Sequence, residues 1–266
     1  MASTLETTSS DQIDRRFAGL RAEGRKALVC YVTAGHPDKA RSLELLQGLE
    51  HAGADIVELG IPFSDPIADG PVIQASSQQA LAQGMTLHGA LELVARAKLG
   101  IPVVLFSYLN PLLSAGKDVL RRCSDAGVHG VLVTDLPLGA DPERESWLAS
   151  SDLAFIRLVA PTTPVERMRE IARTGSGFVY LISRLGVTGV RSDLPPDIKA
   201  TAARLREATD LPICIGFGIS EPAQAKAVAA AGDGVVVGSA LVREAGAGVS
   251  NALALVAALR KGLDSA

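Results

Sequence analysis

Eight short apolar segments recur along the chain, separated by stretches in which apolar residues follow helical spacing. Each segment is almost continuously apolar, which is typical of a strand buried on both faces of a parallel sheet. The segments are residues 28–33, 55–59, 103–107, 130–134, 153–159, 178–182, 212–215 and 234–237. Eight strands alternating with helices within 266 residues predict a single (β/α)8 barrel, the TIM-barrel architecture. An open, doubly wound sheet is the alternative, although residues 33–37 lack the glycine fingerprint that usually follows its first strand.

The N-terminal region adds one element to this repeat. Ile13, Phe17 and Leu20 lie at helical spacing before the first strand, so we expect an extra helix that covers one end of the barrel. No linker or change in composition divides the chain. We therefore expect one domain over residues 1–266, in which residues 1–9 form a flexible tail.

The connections between the predicted elements carry two further patterns. The loops after the second and sixth strands, residues 60–71 and 184–196, are the long ones, and they follow the strand ends where such barrels carry their active sites. Three helices are predicted to end in Ala-Gly before a strand. Gly53, Gly127 and Gly232 would supply the left-handed residue that stops each helix.

Charge, cysteine content and the N-terminus narrow the class of protein. A formal net charge of −3 provides no basic excess for binding nucleic acid. The first ten residues contain no apolar core of a secretion signal, and prolines interrupt the longest uncharged stretch, residues 99–116. Three dispersed cysteines do not suggest a disulfide framework. We expect a soluble, cytoplasmic protein that binds neither nucleic acid nor a membrane.

Two acidic positions could carry proton transfer. Glu58 lies within an apolar strand near its C-terminal end, where burial would raise its pKa toward neutrality. The alternative is a carboxylate that is neutralised by a neighbouring Arg or Lys. Asp65 and Asp69 lie in the next loop, which Pro66 and Pro71 stiffen; each could bind a ligand N–H or simply form a turn.

Glycines near the C-terminus predict a phosphate site. Gly216 and Gly218 follow the seventh strand, and Gly238 and Ser239 follow the eighth. Barrels of this kind often bind phosphate at these two loops, where backbone N–H groups reach the anion and Ser239 could cap a short helix. The alternative is that these glycines only form turns.

The sequence lacks the residues that metal-dependent, Schiff-base or nucleophilic catalysis would require. The four histidines are scattered, so we expect no metal site, and no lysine lies at the C-terminal end of a predicted strand to form a Schiff base. No nucleophile triad or dinucleotide fingerprint is present. The reaction type that the sequence favours is therefore acid–base catalysis by carboxyl groups on a phosphorylated small molecule.

Several segments together resemble one known family. Residues 57–71, VELGIPFSDPIADGP, closely resemble the signature of the tryptophan synthase alpha chain. Further matches follow in the family's order at residues 108–111, 160–164, 183–189, 216–220 and 237–240. The resemblance implies a (β/α)8 barrel that cleaves indole-3-glycerol phosphate to indole and glyceraldehyde 3-phosphate, a lyase reaction of tryptophan biosynthesis.

The resemblance also implies roles for individual residues. Glu58 matches the glutamate that protonates C3 of the indole, and Asp69 matches the aspartate that accepts the indole N–H. Tyr180 matches a tyrosine near that glutamate, and Thr188 matches a threonine that meets the aspartate when the loop after the sixth strand closes. The remaining substrate-binding residues, most of them holding the phosphate, are Gly189, Phe217, Gly218, Gly238 and Ser239.

A partner follows from the same resemblance. The family works as an α2β2 complex, in which the beta chain holds pyridoxal phosphate and joins indole to serine. Asp65 and Asn110 would face that beta chain, and this chain would bind no cofactor of its own.

Three other functions remain open at this level. A free-standing indole-3-glycerol-phosphate lyase would carry the same motifs. A phosphosugar isomerase or epimerase could use the same barrel, although Glu58 and Asp69 do not form the pair expected for it. A non-catalytic barrel that only activates a beta chain is the third.

Overall fold

The chain forms a closed barrel of eight parallel strands in the order β1 to β8. The structure is a computed structural model that describes residues 9–182, 196–216 and 218–265, without the side chains of residues 196 and 197. The strands are β1 Ala27–Thr33, β2 Ile56–Gly60, β3 Val103–Ser107, β4 Gly130–Val133, β5 Ala154–Val159, β6 Val179–Ile182, β7 Ile213–Gly216 and β8 Gly234–Val237. All eight predicted strands are confirmed, and their ends differ from the predicted ends by one residue at most.

Helices surround the barrel. Those in the described residues are α1 Asp11–Ala22, α2 Lys39–Ala52, α3 Pro71–Ala82, α4 Leu87–Ala97, α5 Leu109–Ser114, α6 Val119–Asp125, α7 Pro142–Ala149, α8 Val165–Arg173, α9 Pro196–Ala208, α10 Pro222–Ala229, α11 Ser239–Ala247 and α12 Val249–Asp264. The long connection after β2 contains the predicted loop over residues 60–71 and also two helices instead of one. The predicted loop over residues 184–196 lies outside the described residues up to the start of α9, and so do residues 1–8 of the predicted tail.

Side chains alternate between two cores along each strand. Inward-facing residues such as Val29, Val104 and Leu132 fill the barrel, whereas Leu28, Cys30 and Val32 face the helices. Both faces are buried, which explains why the strands are apolar throughout. None of the helices in the described part of the chain combines the length and the apolarity needed to cross a bilayer.

Helix α1 covers the N-terminal end of the barrel, as the sequence predicts. Ile13, Phe17 and Leu20 are buried in the same cluster as the inward-facing strand residues. The rings of Phe17 and Phe178 lie 5.8 Å apart. The helix therefore closes this end of the barrel interior, and such barrels carry their sites at the other end, where the strands have their C-termini.

A buried ion pair stabilises the same closed end. Asp55, immediately before β2, is fully buried and accepts hydrogen bonds from Arg16 at 2.5 Å, from Arg260 at 2.9 Å and from the Leu28 N–H at 2.7 Å. This carboxylate is fully paired, because unpaired charge is costly to bury. Glu58, three residues further along the chain, is also buried but has no such partner among the described residues.

The prediction of left-handed glycines at three helix ends holds at two of them. Gly53 and Gly127 have φ of +104° and +95°. At Gly232 the prediction is wrong, because its φ is not positive and α10 has already ended at Ala229. Glycine is needed there for close packing, since an added Cβ would lie 2.8 Å from the carbonyl oxygen of Ile213.

Candidate active site

Glu58 is a buried carboxyl group without a partner. It faces the barrel interior from the middle of β2, and neither of its oxygens has a hydrogen-bond partner among the described residues. The alternative interpretation was a carboxylate neutralised by Arg or Lys, and the described residues contain no such partner for Glu58. Burial raises the pKa of Glu58 to about 8, so at neutral pH the group holds a proton that it can donate.

Two tyrosines line the barrel around Glu58. Tyr31 is its register neighbour on β1, and Tyr180 faces inward from β6. The hydroxyl of Tyr180 lies over Gly216, where an added Cβ would be only 2.4 Å away. Burial and then the charge of Glu58 raise the pKa of Tyr180, and both side chains face the interior of the barrel.

Asp69 lies in the loop between β2 and α3, and its backbone is held on both sides. Its N–H donates to the carbonyl oxygen of Pro66 at 3.0 Å, and its own carbonyl oxygen accepts from the side chain of Gln74 at 2.9 Å. Burial raises the pKa of Asp69 to about 6, while a hydrogen bond from Tyr108 opposes that rise. Asp69 is therefore mostly ionised at neutral pH, when Glu58 is mostly protonated.

Tyr108 is a site residue for which the sequence analysis gave no role. It follows β3, is 2 % exposed, and its ring packs against Phe63 with centroids 5.0 Å apart. Its hydroxyl accepts a hydrogen bond from the N–H of Ala68 at 2.9 Å. The contact joins loops that are forty residues apart in sequence, so no local pattern indicates it.

The carboxyl groups of Glu58 and Asp69 both affect the pKa of Tyr31. After burial, the charge of Asp69 raises the pKa of Tyr31, and the charge of Glu58 adds to the effect. A Coulombic effect on a buried group comes from charges in its neighbourhood, because such charges are weakly screened there. Glu58 and Asp69 therefore lie around Tyr31 at the C-terminal end of the barrel.

The C-terminal end of β8, which neighbours β1 in the barrel, presents backbone N–H groups at the start of α11. The first N–H bonded within this helix is that of Val242, which donates to the carbonyl oxygen of Gly238 at 3.0 Å. The preceding amides of the first turn are available to an anion. An added Cβ at Gly238 would meet nothing closer than Tyr31 at 3.7 Å, and one at Gly218 would meet nothing within 4 Å.

The predicted capping role of Ser239 is wrong. Gly238 occupies the N-cap position, and Ser239 is the first residue of α11, with no side-chain capping bond at this end. The backbone of Gly238, at φ −119° and ψ −87°, moves the start of the helix by one residue. As the first residue of α11, Ser239 still contributes its backbone N–H to the helix N-terminus.

Comparison with known proteins identifies the family. The family model described as tryptophan synthase alpha chain matches residues 17–263. The tryptophan synthase alpha chain of Caulobacter sp. (strain K31) is 48% identical over 240 residues, which cover 89% of this chain and 87% of the relative. That of Desulfatibacillum aliphaticivorans is 50% identical over 234 residues, covering 87% and 88%. This chain belongs to the tryptophan synthase alpha chain family.

Solved structures agree with this assignment. A structure of Mycobacterium tuberculosis tryptophan synthase superposes with a TM-score of 0.88 at 34% identity, covering 95% of this chain and 98% of that one. The alpha subunit from Legionella pneumophila str. Paris gives 0.87 at 33% identity, covering 96% and 99%. As a member of the alpha chain family, the protein is a lyase of tryptophan biosynthesis that cleaves indole-3-glycerol phosphate in the tryptophan synthase complex.

Three residues assigned by resemblance lie outside the described part of this alpha chain. They are Thr188, Gly189 and Phe217. The described residues bring together Glu58, Asp69 and Tyr180 at one end of the barrel, with Gly238 next to Tyr31 just after the neighbouring strand β8. They contain no group of three or more His, Cys, Asp or Glu side chains arranged to hold a metal.

The outer surface of the alpha chain carries the residues predicted to face a partner. Asp65 is exposed in the loop after β2, and Asn110 is exposed in α5 after β3. The large hydrophobic side chains exposed within the described residues, Ile67 at 86 % and Leu113 at 40 %, lie in the same two segments. Family membership implies a beta chain as partner, and an apolar patch of this kind is a common feature of interfaces.

Proposed function

We propose that Glu58 and Asp69 together carry out the cleavage of indole-3-glycerol phosphate, Glu58 by transferring protons and Asp69 by binding the indole N–H. The observation that carries the proposal is a difference between two neighbouring carboxyl groups. Glu58 is buried without a partner and holds its proton near neutral pH, whereas Asp69 is held by Tyr108 and is mostly ionised. Opposite protonation states suit an acid and a charge-stabilising base.

The proton balance of the reaction requires only one acid–base group. Glu58 donates its proton to C3 of the indole, and the positive charge that develops spreads to the ring nitrogen. The carboxylate of Asp69, which accepts the ring N–H, stabilises that charge. Glu58 then takes the proton of the hydroxyl on the adjoining glycerol carbon. The C–O bond becomes a carbonyl, the electrons of the broken C–C bond return to the ring, and Glu58 is protonated again.

The phosphate would bind at the C-terminal end of β8, where α11 begins. The first-turn amides of α11, with Gly238 and Ser239, form an anion site that the helix dipole strengthens. Gly218 extends this site, and Tyr180 lies beside Glu58 against the substrate. By resemblance we assign Gly189 and Phe217 to substrate binding, and Thr188 to a contact with Asp69 when the loop after β6 closes.

The partner would dock over the same end of the barrel. We assign Asp65 and Asn110 to an interface with the beta chain in an α2β2 heterotetramer, with Ile67 and Leu113 as its apolar contacts. The family's alpha chains have no cofactor of their own, and pyridoxal phosphate would belong to the beta chain. Such a biosynthetic complex would work in the cytoplasm.

An indole-release assay tests this function. The purified chain is given indole-3-glycerol phosphate with and without a beta chain, and indole and glyceraldehyde 3-phosphate are both quantified. We expect slow release of the two products in equal amounts and a marked acceleration by the beta chain. High turnover that the beta chain does not change would instead indicate a free-standing lyase. Binding of substrate without any release of indole would indicate a non-catalytic barrel.

A further inference from the structure

Gln74 joins the start of α3 to the loop that carries Asp69, although no role has been assigned to it. Helix α3 begins at Pro71 behind the N-cap residue Gly70, and no side chain caps this end. Asp69 directly precedes that N-cap residue. The position of Asp69 relative to the helix therefore depends on contacts other than a conventional cap.

The carboxamide of Gln74 reaches back from the start of the helix to this loop. Its Nε2 atom donates to the carbonyl oxygen of Asp69 at 2.9 Å, and a longer contact of 3.4 Å joins the same atom to the carbonyl oxygen of Pro66. A carbonyl oxygen can only accept, so the group that faces these two atoms must be a donor. The NH2 of the carboxamide carries two protons and can serve both acceptors at once.

The two carbonyl groups mark the ends of one tight turn. The N–H of Asp69 donates to the carbonyl oxygen of Pro66 at 3.0 Å, which closes a four-residue turn over residues 66–69. The N–H of Ala68, in the middle of this turn, donates to the hydroxyl of Tyr108 at 2.9 Å. The turn is thus held by Tyr108, just after β3, and by Gln74 on α3.

The direction of the Asp69 side chain follows from this turn. Asp69 is the last residue of the turn, so any rotation of the turn moves the carboxylate relative to the strands of the barrel. In an enzyme, a misplacement of about 1 Å can reduce the rate about 100-fold. Gln74 itself is exposed, so its hydrogen bonds, and not the burial of its side chain, connect it to the site.

We propose that Gln74 is a positioning residue of the lyase site, whose carboxamide holds the turn over residues 66–69 and thereby aims the carboxylate of Asp69 at the ring nitrogen of the substrate. The inference rests on the proposed function, because it concerns the group assigned to the indole N–H. Gln74 acts through the backbone of Asp69. Its loss should therefore slow the cleavage step and leave the phosphate site at the start of α11 intact.

Gln74→Met tests the proposal, because methionine keeps the length of the side chain and a high helix propensity but has no donor. We expect the exchange rate of the Asp69 amide proton, measured by NMR on the full chain, to rise about 3–10-fold, the scale of one hydrogen bond. With a saturating beta chain at neutral pH, kcat should fall about 10-fold, whereas KM should change by less than about 3-fold. Gln78→Met, one turn further along the exposed face of α3, is the matched control and should behave as the wild type.

Gln74→Glu separates positioning from stability. Its carboxylate has the same shape, and a negative charge near the N-terminus of α3 favours the helix, but the group cannot donate to the two carbonyl oxygens. We expect the midpoint of denaturant unfolding to stay at or above that of the wild type, while kcat falls at least as far as in Gln74→Met. Gln78→Glu carries the same charge one turn away and should keep the wild-type kcat.

The contradicting results are equally defined. Wild-type exchange of the Asp69 amide in Gln74→Met overturns the proposal, and so does a wild-type kcat in either variant of Gln74. The exchange measurement needs no substrate. A wild-type chain that releases no indole even with a beta chain would therefore contradict the proposed function, whereas unchanged amide exchange in an active enzyme would contradict only the role of Gln74.

Discussion

Tyr108 hydrogen-bonds both to the carboxylate of Asp69 and, at 2.9 Å, to the N–H of Ala68. One hydroxyl thus fixes the backbone of the loop after β2 and the side chain that would bind the indole nitrogen. Because the bond to Asp69 favours the ionised form, it partly offsets the effect of burial on the pKa of this group. A packing residue just after β3 thus influences the protonation of a carboxyl group in the loop after β2.

Replacing Tyr108 by Phe should move the acid side of the pH–rate profile. The pKa of Asp69, about 6 in the wild type, should rise when its donor is lost, so kcat/KM should fall away at a higher pH. At pH 6 we expect kcat/KM to decrease about 10-fold, with a smaller decrease at pH 8. The ring contact with Phe63 remains as an internal control for folding. A variant whose acid limb coincides with that of the wild type would refute the assignment.

Glu58→Gln should preserve the fold and the binding of substrate but abolish most of the lyase activity. The amide keeps the size of the side chain and cannot transfer a proton. We expect kcat to fall by about 10²–10⁴-fold with little change in the dissociation constant of the substrate. Steady-state kinetics and equilibrium binding distinguish these two quantities. Near wild-type turnover would show that another group supplies the proton.

The same variant should change how stability depends on pH. The pKa of Glu58 is raised on folding from 4.5 to about 8, so the folded chain favours the protonated form. The wild type therefore loses stability as pH rises between these two values, since ionisation is easier in the unfolded state. Glu58→Gln lacks this loss. At pH 8 it should be more stable than the wild type by an amount on the order of a few kcal/mol, and nearly equal at pH 4.5. Denaturant unfolding at several pH values measures the difference, and parallel stability curves would contradict it.

The barrel was predictable from sequence because burial on both faces makes each strand continuously apolar. Glu58 was detectable for the same reason, as a carboxyl group inside such a segment. Tyr108 was not, because its contact with the loop after β2 joins segments that meet only in the closed barrel. The start of α11 was misplaced by one residue because the backbone conformation of Gly238, and not the residue type of Ser239, sets the N-cap.

Gly238→Ala should weaken binding of the substrate phosphate without harming the fold. The added Cβ meets only Tyr31, at 3.7 Å or more, so the free protein can accept it. It would project in front of the first-turn amides of α11, where the anion should lie. We expect KM for indole-3-glycerol phosphate to rise about 10-fold or more, the scale of one or two lost charge-assisted hydrogen bonds. Gly19→Ala, in an open position on α1, is the matched control, and an unchanged KM would place the phosphate elsewhere.

Ile67→Ser should weaken the response to a beta chain. The side chain is 86 % exposed, so its loss should not affect the stability of the free alpha chain. If a partner buries it, we expect the concentration of beta chain that gives half-maximal activation to rise about 10-fold. Gln47→Ser, on the exposed face of α2, serves as the surface control. Equal activation of both variants would show that the interface lies away from this loop.

A crystal structure of Glu58→Gln soaked with indole-3-glycerol phosphate tests the central assignment, because the variant should bind the intact substrate without cleaving it. The indole nitrogen should lie within hydrogen-bonding distance of the Asp69 carboxylate, at about 2.7–3.2 Å. C3 of the ring should face the side chain at position 58, and the phosphate should lie on the amides at the start of α11. A substrate whose nitrogen points away from Asp69, or whose ring lies outside the space around Tyr31, would contradict the assignment.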